Sequence, residues 1–467
     1  MMEMLACHLN RESEMPLYEQ LYDYIKIEIM NGNIPYGAKL PSKRRLSEFL
    51  KISQNTVEQA YEQLVAEGYV EGIARKGYFV LAYEDLEYVR TSKVEKQPKK
   101  KEEKIRYDFH PSRIDTENFP FAKWKKQTKN IIAYENQSLL LMGDRQGEFV
   151  LREEIANYLF QARGVHSSPD EIILGAGIEV LLQQLILLLG NDAVYGVEDP
   201  GYHVISRILA HYPNEVRALE VDDRGVKVNS LDNSPVDVLY VTPSHHFPYG
   251  SVLSANRRIK LLNWAASREN RYIIEDDYDS EFRYSGKSIP SLQSMDQADK
   301  VIYLGTFSKS LIPSIRISYM VLPKQLMEQY RKKLSFFQCS VSRIDQHILA
   351  NFMKEGEFER HLNRMRKVYR RKMEKTLAVL KPYEEKIKVV SDLSGFHVVL
   401  NVENGMSENQ LVKKAKEANI LIYPLSNYRM DKKANPRPIF LLGFAGIRED
   451  ELEESIKQLL KSWEFDV

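Results

Sequence analysis

The sequence predicts an α/β protein in two unequal parts, a small helical module followed by a large domain built on a mainly parallel sheet. Three observations predict it. Residues 11–81 carry helical periodicity and close with the signals of a short hairpin. From about Tyr107 onward, short apolar runs alternate with long helical patterns, as in EIILGAGIEVLLQQLILLLG, DAVYGVEDPGY, VDVLYVTPSHH, RYIIEDDYD and VIYLGTFSK, which is the texture of strands joined by helices. Between the two, RTSKVEKQPKKKEEKIR from Arg90 has almost no apolar residues and reads as an extended, charge-solvated tether. No internal repeat interrupts this plan.

Within the first part, PLYEQLYDYIKIEIMNG sets Leu17, Leu21, Ile25 and Ile29 on one helical stripe, and Asn31-Gly32 supplies the stop. A second helix begins after KLPS, with Ser42 as cap and Leu46, Phe49 and Leu50 inward. SQNTVEQAYEQLVAEGYV announces a third: Ser53 or Asn55 caps it, Val57, Ala60, Tyr61 and Leu64 face inward, and Gly68 ends it. VEGIARKGYFVL then reads as two short strands around a tight turn. Three helices and a hairpin make a winged helix-turn-helix plan, which places the start of the third helix in the DNA major groove and the wing on the backbone.

Charge supports that plan only locally. Residues 11–76 hold nine Lys/Arg against ten Asp/Glu, a net of −1. Between Ala38 and Val57, however, Lys39, Lys43, Arg44, Arg45 and Lys51 face the single acid Glu48, a net of +4, and Arg75 with Lys76 extends the cluster to the wing. The expected DNA contacts are therefore Lys39, Ser42, Lys43 and Arg44 around the second helix, Ser53, Gln54, Asn55 and Thr56 at the start of the third, and Arg75 and Lys76 on the wing.

Bulk properties narrow the setting. With 467 residues, 43% of them apolar, the chain is long enough for two or three domains. A net charge of +1 gives no global field toward nucleic acid or membrane. Two cysteines, Cys7 and Cys339, fit a reducing compartment rather than a disulfide framework. VLLQQLILLLG is too short for a membrane span, and MMEMLACHLN lacks the pattern of a signal peptide, so the expectation is a cytoplasmic protein without membrane attachment.

The large part gathers reactive residue types at strand ends, where open α/β sheets bind ligands. IIEDDYDSEFRY puts Asp276, Asp277 and Tyr278 at the end of one apolar strand, and VIYLGTFSK puts Thr306, Ser308 and Lys309 beyond another. In LGAGIEVLLQQL a strand runs through Gly175, Ala176 and Gly177 into a helix, so unpaired N–H groups and the helix dipole would suit a phosphate. EDPGYH offers Tyr202 as a ring to stack on a flat ligand. A lysine amine, a carboxylate, an aromatic face and a phosphate cradle are together what pyridoxal 5′-phosphate requires. No metal site is expected.

Two resemblances sharpen this. PLYEQL, KLPSKRRLSEFLKISQNTVEQAYEQLVAEGYVE and RKGYFV resemble the winged helix of GntR-type transcription regulators. TFSKSLIPSIR resembles the lysine segment of fold-type I aminotransferases, a likeness that runs from about Tyr107 to the C-terminus. It implies Lys309 as the Schiff-base lysine, Thr306, Ser308 and Arg316 as phosphate ligands, Asp276 as partner of the pyridinium nitrogen, Tyr278 near the phenolic oxygen and Tyr202 as stacking ring. A GntR-type winged helix tethered to such a domain is the layout of MocR/GabR-type regulators. That likeness implies residues 1–84 as DNA-binding domain, 85–106 as linker and 107–467 as effector domain. Within the last, a large α/β domain would span about 150–360 and a small α+β domain 361–467 plus part of 107–149. It further implies a homodimer, promoter DNA as partner, and the cofactor or its adduct with an amine or amino acid as signal.

The sequence also departs from these families. Gln54 stands where the recognition helix usually carries Arg, which predicts an altered operator preference. Met142 replaces a tyrosine that reaches the partner's phosphate, and His246 and Phe247 stand where aminotransferases place an Asn. Leu441 aligns with the substrate-carboxylate Arg, and Val204 and Asn427 with the carboxylate arginines of GABA-sensing relatives, leaving Arg429 or Arg437 as substitutes. GABA is therefore a poor effector for this chain, and productive transaminase turnover is not expected beyond a half-reaction. Three readings follow: a cofactor-dependent regulator, a working aminotransferase with an accessory DNA module, and a cofactor-free dimer scaffold.

Overall fold

A computed structural model describes residues 7–81, 105–222, 224–231, 233–284, 286, 289–390, 394–430 and 437–466. The chain divides into two compact units, Met1–Glu102 and Glu103–Val467. Of the tether expected at 85–106, all but the last two residues lies outside the described residues.

The first unit contains α1 (Leu17–Met30), α2 (Lys43–Leu50), α3 (Gln54–Ala66) and a hairpin of β1 (Val70–Ile73) and β2 (Gly77–Val80). Leu21, Ile25 and Ile29 of α1 meet Val57, Ala60, Tyr61 and Leu64 of α3 in one buried cluster, as the helical spacing predicts. Both caps form: Ser42 accepts from the Arg45 N–H at 3.3 Å and Ser53 from the Thr56 N–H at 3.0 Å. Lys51 ends α2 in the left-handed region (φ 55°), which turns the chain sharply into α3. One expectation is corrected here. Phe49 is 44% exposed, because this short helix turns Leu46 and Ser47 inward and leaves Phe49 on the solvent side.

The second unit opens with β3 (Tyr107–Asp108), α4 (Phe121–Ile131) and α5 (Phe149–Arg163). Its main sheet has eight strands: β4 (Ile172–Gly175), β5 (Tyr195–Asp199), β6 (Val216–Asp222), β7 (Gly225–Val226), β8 (Val238–Val241), β9 (Tyr272–Asp277), β10 (Val301–Thr306) and β11 (Ser318–Val321). Their order is β4-β11-β10-β9-β8-β5-β6-β7. The five central strands β10, β9, β8, β5 and β6 pair in parallel, while β11 runs antiparallel between β4 and β10. Helices α6 (Ile178–Leu189), α7 (His203–Leu209), α8 (Ala255–Ala266) and the single turn α9 (Phe307–Ser310) follow β4, β5, β8 and β10. Strands β5, β8, β9 and β10 are buried on both faces, which is why they carry continuous apolar runs, whereas β6 is largely exposed. Ile302 and Leu304 of β10 pack with Leu181 and Leu185 of α6, and the intervening Tyr303 packs on the opposite core with Leu151 and Ile155 of α5.

Helices α10 (Lys324–Lys333), α11 (Arg343–Lys354) and the long α12 (Glu357–Leu380) lead to a second sheet. Its strands are β12 (Ile387–Val389), β13 (His397–Val402), β15 (Tyr423–Pro424) and β16 (Ile439–Gly443), in the order β12-β13-β16-β15, with β14 (Ile420–Leu421) pairing in parallel with β3. The second unit thus joins a large, mainly parallel sheet to a smaller antiparallel one. Among the described residues no helix is long and apolar enough to cross a membrane, and no cluster of His, Cys, Asp and Glu is arranged to hold a metal ion.

Candidate functional site

The carboxyl ends of β8, β9 and β10 and the starts of α6 and α7 converge on a cavity of about 200 Å³. Lys309 lies at its centre. The Thr306 side chain caps α9 by accepting the Ser308 N–H at 3.2 Å and also accepts from the Ser318 hydroxyl at 2.9 Å, so the turn that carries the lysine is pinned at its root. The Lys309 ammonium donates to the Ser112 carbonyl at 2.6 Å. Burial lowers its pKa to about 8, with Asp279 opposing the shift. A lysine so placed carries a neutral, nucleophilic amine far more often than a surface one.

Asp276 faces the same cavity from β9. Its Oδ2 accepts the Tyr240 hydroxyl, whereas Oδ1 is buried with no hydrogen-bond partner among the described residues. Burial raises its pKa to about 7. An acceptor left alone in the interior costs about 1–3 kcal/mol, and a protonated ring nitrogen is the guest that would satisfy it. The residues present therefore fit a pyridine-type cofactor. Beside it, the Tyr278 hydroxyl lies 3.1 Å from His245 Nδ1, which is 2.8 Å from Asp279 Oδ1. With Nδ1 donating its single proton to that carboxylate, the nitrogen has no lone pair to offer the tyrosine, so the Tyr278 hydroxyl proton is available to the cavity. Tyr202 lines the wall edge-on to Phe247, with ring centroids 5.9 Å apart.

At the far end, Arg316 in the left-handed region (φ 51°) donates to the Ala176 carbonyl at 3.2 Å and to Glu179 Oε2 at 2.8 Å. Ser308 and Thr306 line the same end. The expected glycine cradle is only partly placed here. Gly177 lines the cavity, and a Cβ on it would sit 2.1 Å from the Arg316 guanidinium. Gly175 and Ala176 do not line it: a Cβ on Gly175 would instead strike Leu181, and the Ala176 N–H is spent on Ser340 Oγ at 2.9 Å. The Gly177 N–H likewise turns back to the Gly175 carbonyl at 2.8 Å. The donors that open α6 belong to Ile178 and Glu179, two to three residues later than the sequence predicts.

The carboxylate candidates fall elsewhere. Neither Arg429 nor Arg437 lines the cavity, and Arg437 is exposed. Leu441 is fully buried in an apolar cluster with Phe247, Leu425 and Tyr428; Val204 is half-buried on α7 and Asn427 exposed. His246 is sealed in, neither ring nitrogen hydrogen-bonded among the described residues, and burial drives its pKa down to about 3. Several neighbours escaped the sequence reading. Thr242, just past the end of β8, lines the cavity and donates its hydroxyl to the buried Glu198 at 2.8 Å; a strand-end rule could have found it. Ser112 and His397 arrive from distant segments, and no local signal marks them.

The DNA-facing candidates sit on exposed or half-exposed positions of the first unit. Gln54 and Asn55 are exposed at the first turn of α3, and the Ser53 and Thr56 hydroxyls bond each other at 2.8 Å. Lys43 is ion-paired to Glu58, which raises its pKa, and Arg44 to Glu48 at 2.9 Å. Lys39 lies 5.8 Å from the centroid of the Phe79 ring on the hairpin. Arg75 (φ 63°) and Lys76 stand exposed at the tip of the hairpin turn.

Comparison with known proteins agrees with both halves. The model for bacterial regulatory proteins of the gntR family matches residues 17–80, and that for aminotransferases of class I and II matches residues 112–459. The HTH-type transcriptional regulator YdeL of Bacillus subtilis is 43% identical over 98% of this chain and 99% of its own. The probable rhizopine catabolism regulatory protein MocR of Rhizobium meliloti is 30% identical over 97% of this chain and 94% of its own. The pyridoxine biosynthesis regulator PdxR of Corynebacterium glutamicum is 31% identical over 78% of this chain and 79% of its own. Among solved structures, the kynurenine aminotransferase of Pyrococcus horikoshii superposes with a TM-score of 0.68 at 24% identity, covering 77% of this chain and 91% of its own, which speaks for the fold alone. The chain belongs to the MocR/GabR-type family of transcriptional regulators, in which a gntR-type winged helix precedes a class I and II aminotransferase domain.

Proposed function

We propose that this protein is a transcription regulator that binds promoter DNA through α3 and the hairpin and responds to pyridoxal 5′-phosphate, or to its adduct with an amine or amino acid, at the cavity around Lys309. The observation that carries the reading is the buried Asp276 Oδ1, unpartnered among the described residues, in the same cavity as a half-buried lysine of lowered pKa. When bound, the cofactor supplies an aldehyde for the lysine and a ring that draws electrons from the attached carbon. Lys309 holds it, Asp276 keeps the ring nitrogen protonated, Tyr202 covers one face and Tyr278 donates to the phenolic oxygen. Thr306, Ser308, Arg316 and the start of α6 receive the phosphate.

The domain limits are those of the sequence reading, and the protein is a homodimer in the cytoplasm. Phe121, Tyr134, Leu140, Leu141 and Met142 are each more than two-thirds exposed, and so many large apolar side chains in one stretch support a surface covered by a second copy. An effector that swings such a dimer from mostly inactive to mostly active must discriminate between the two states by about 5.5 kcal/mol. A working aminotransferase uses the same Lys309 and Asp276, so turnover is the discriminating measurement. Titration with cofactor should produce an absorbance band near the visible edge, lost in Lys309→Ala, and should change the affinity of the wild type for its own promoter region. A DNA affinity indifferent to cofactor, with or without candidate amines, overturns the regulatory reading; multiple turnovers with a common keto acid replace it with the enzymatic one.

A further inference from the structure

The phosphate end of the cavity contains its own carboxylate. Glu179, in the first turn of α6, holds Arg316 at 2.8 Å, and both side chains lie at the mouth, 36% and 51% exposed. The contact lies directly against the bare backbone of Gly177: a Cβ there would come within 2.1 Å of the Arg316 Nη2 and 2.5 Å of Glu179 Oε2, so a larger residue would push the pair aside. Arg316 is fixed from the other side by the Ala176 carbonyl. Apart from Lys309, it is the only cation among the described residues that line the cavity. A phosphate arriving there meets a guanidinium already neutralised by an oxyanion, and two anions cannot share it without repulsion.

Resting on the reading of the cavity as a pyridoxal phosphate site, we propose that Glu179 is a built-in competitor for the phosphate: its carboxylate occupies Arg316 until a phosphorylated ligand displaces it. The displacement sets affinity for the phosphorylated cofactor low enough that occupancy follows its concentration. A permanently loaded enzyme would gain nothing from such an arrangement, whereas a sensor needs reversible filling. The competition acts only on ligands that carry the phosphate, and an unphosphorylated aldehyde leaves the Glu179–Arg316 pair intact.

The test uses full-length wild type, Glu179→Gln, Glu179→Ala and Arg316→Ala. Calorimetric titration with inorganic phosphate reads the competition without any cofactor: both Glu179 variants should bind phosphate about two- to fivefold tighter than wild type, and Arg316→Ala should bind it weakly or not at all. Spectral titration should show the same gain for pyridoxal phosphate and none for pyridoxal, which lacks the phosphate. If phosphate binds equally or more weakly in Glu179→Gln, the carboxylate positions Arg316 rather than competing for it, and the proposal falls. Equal gains for pyridoxal and its phosphate overturn it as well. If inorganic phosphate tightens but neither aldehyde gives a band in wild type, the competition stands and the cofactor assignment is what fails.

Discussion

The two units place their functional groups in opposite surroundings. In the first, the candidate DNA contacts stand in water on a small scaffold, and their charges are held by equally exposed partners, Lys43 by Glu58 and Arg44 by Glu48. In the second, Lys309, Asp276 and Tyr278 are enclosed, and enclosure moves their protonation: the lysine down to about 8 and the aspartate up to about 7. Exposed groups can be read singly, because each is worth little and acts by adding to a field. Buried groups act as a set, since removing one leaves another without its partner.

The strongest way to break this contrast is at Arg163, whose Nε donates to Asp277 Oδ2 at 2.7 Å with both side chains buried directly behind the site. Tyr303 donates to the same Asp277 oxygen at 2.5 Å. Arg163→Ala strands a buried carboxylate and should destabilise the second unit by about 3–5 kcal/mol, while the unfolding transition of the winged helix is unchanged in calorimetry. Next comes pH. Only the neutral Lys309 amine captures an aldehyde, so the capture rate followed by absorbance should rise about tenfold per pH unit below its pKa near 8 and level off above it. A rate still climbing at pH 10 would mean the lysine is not desolvated. On the exposed side, Ser53→Ala removes the cap on the Thr56 N–H and should cost the first unit about 1 kcal/mol, read as a lower midpoint in denaturant. Smallest is Lys76→Ala at the hairpin tip: binding to all DNA sequences weakens alike, and the slope of log affinity against log salt falls by about 0.9.

Legibility followed the same divide. The winged helix was readable nearly residue by residue, because its stripes, caps and turn are local; Phe49 was misplaced, since eight residues are too few for periodicity to fix which side of a helix faces the core. In the second unit, strand ends gave Lys309, Asp276, Tyr278 and Thr306. Of the glycine run only Gly177 lines the cavity: Gly175 serves the packing of Leu181, and the Ala176 N–H is taken by Ser340, 164 positions away in the chain. A glycine's sequence does not say whether it makes room for a ligand or for a leucine.

By itself, then, the sequence determined the order of elements, the two-part plan and the chemical types gathered at the strand ends, because periodicity, capping and strand-end placement are short-range properties. Only the tertiary structure decided which of those groups meet. Ser112 reaches Lys309 from the start of the second unit, His397 closes the cavity from the second sheet, and Arg316 turns to Glu179 across the mouth. Those contacts join residues tens to hundreds of positions apart. They exist only once apolar burial has drawn the strands into one sheet, and the pKa shifts and the orphaned Asp276 oxygen arise from that same exclusion of water.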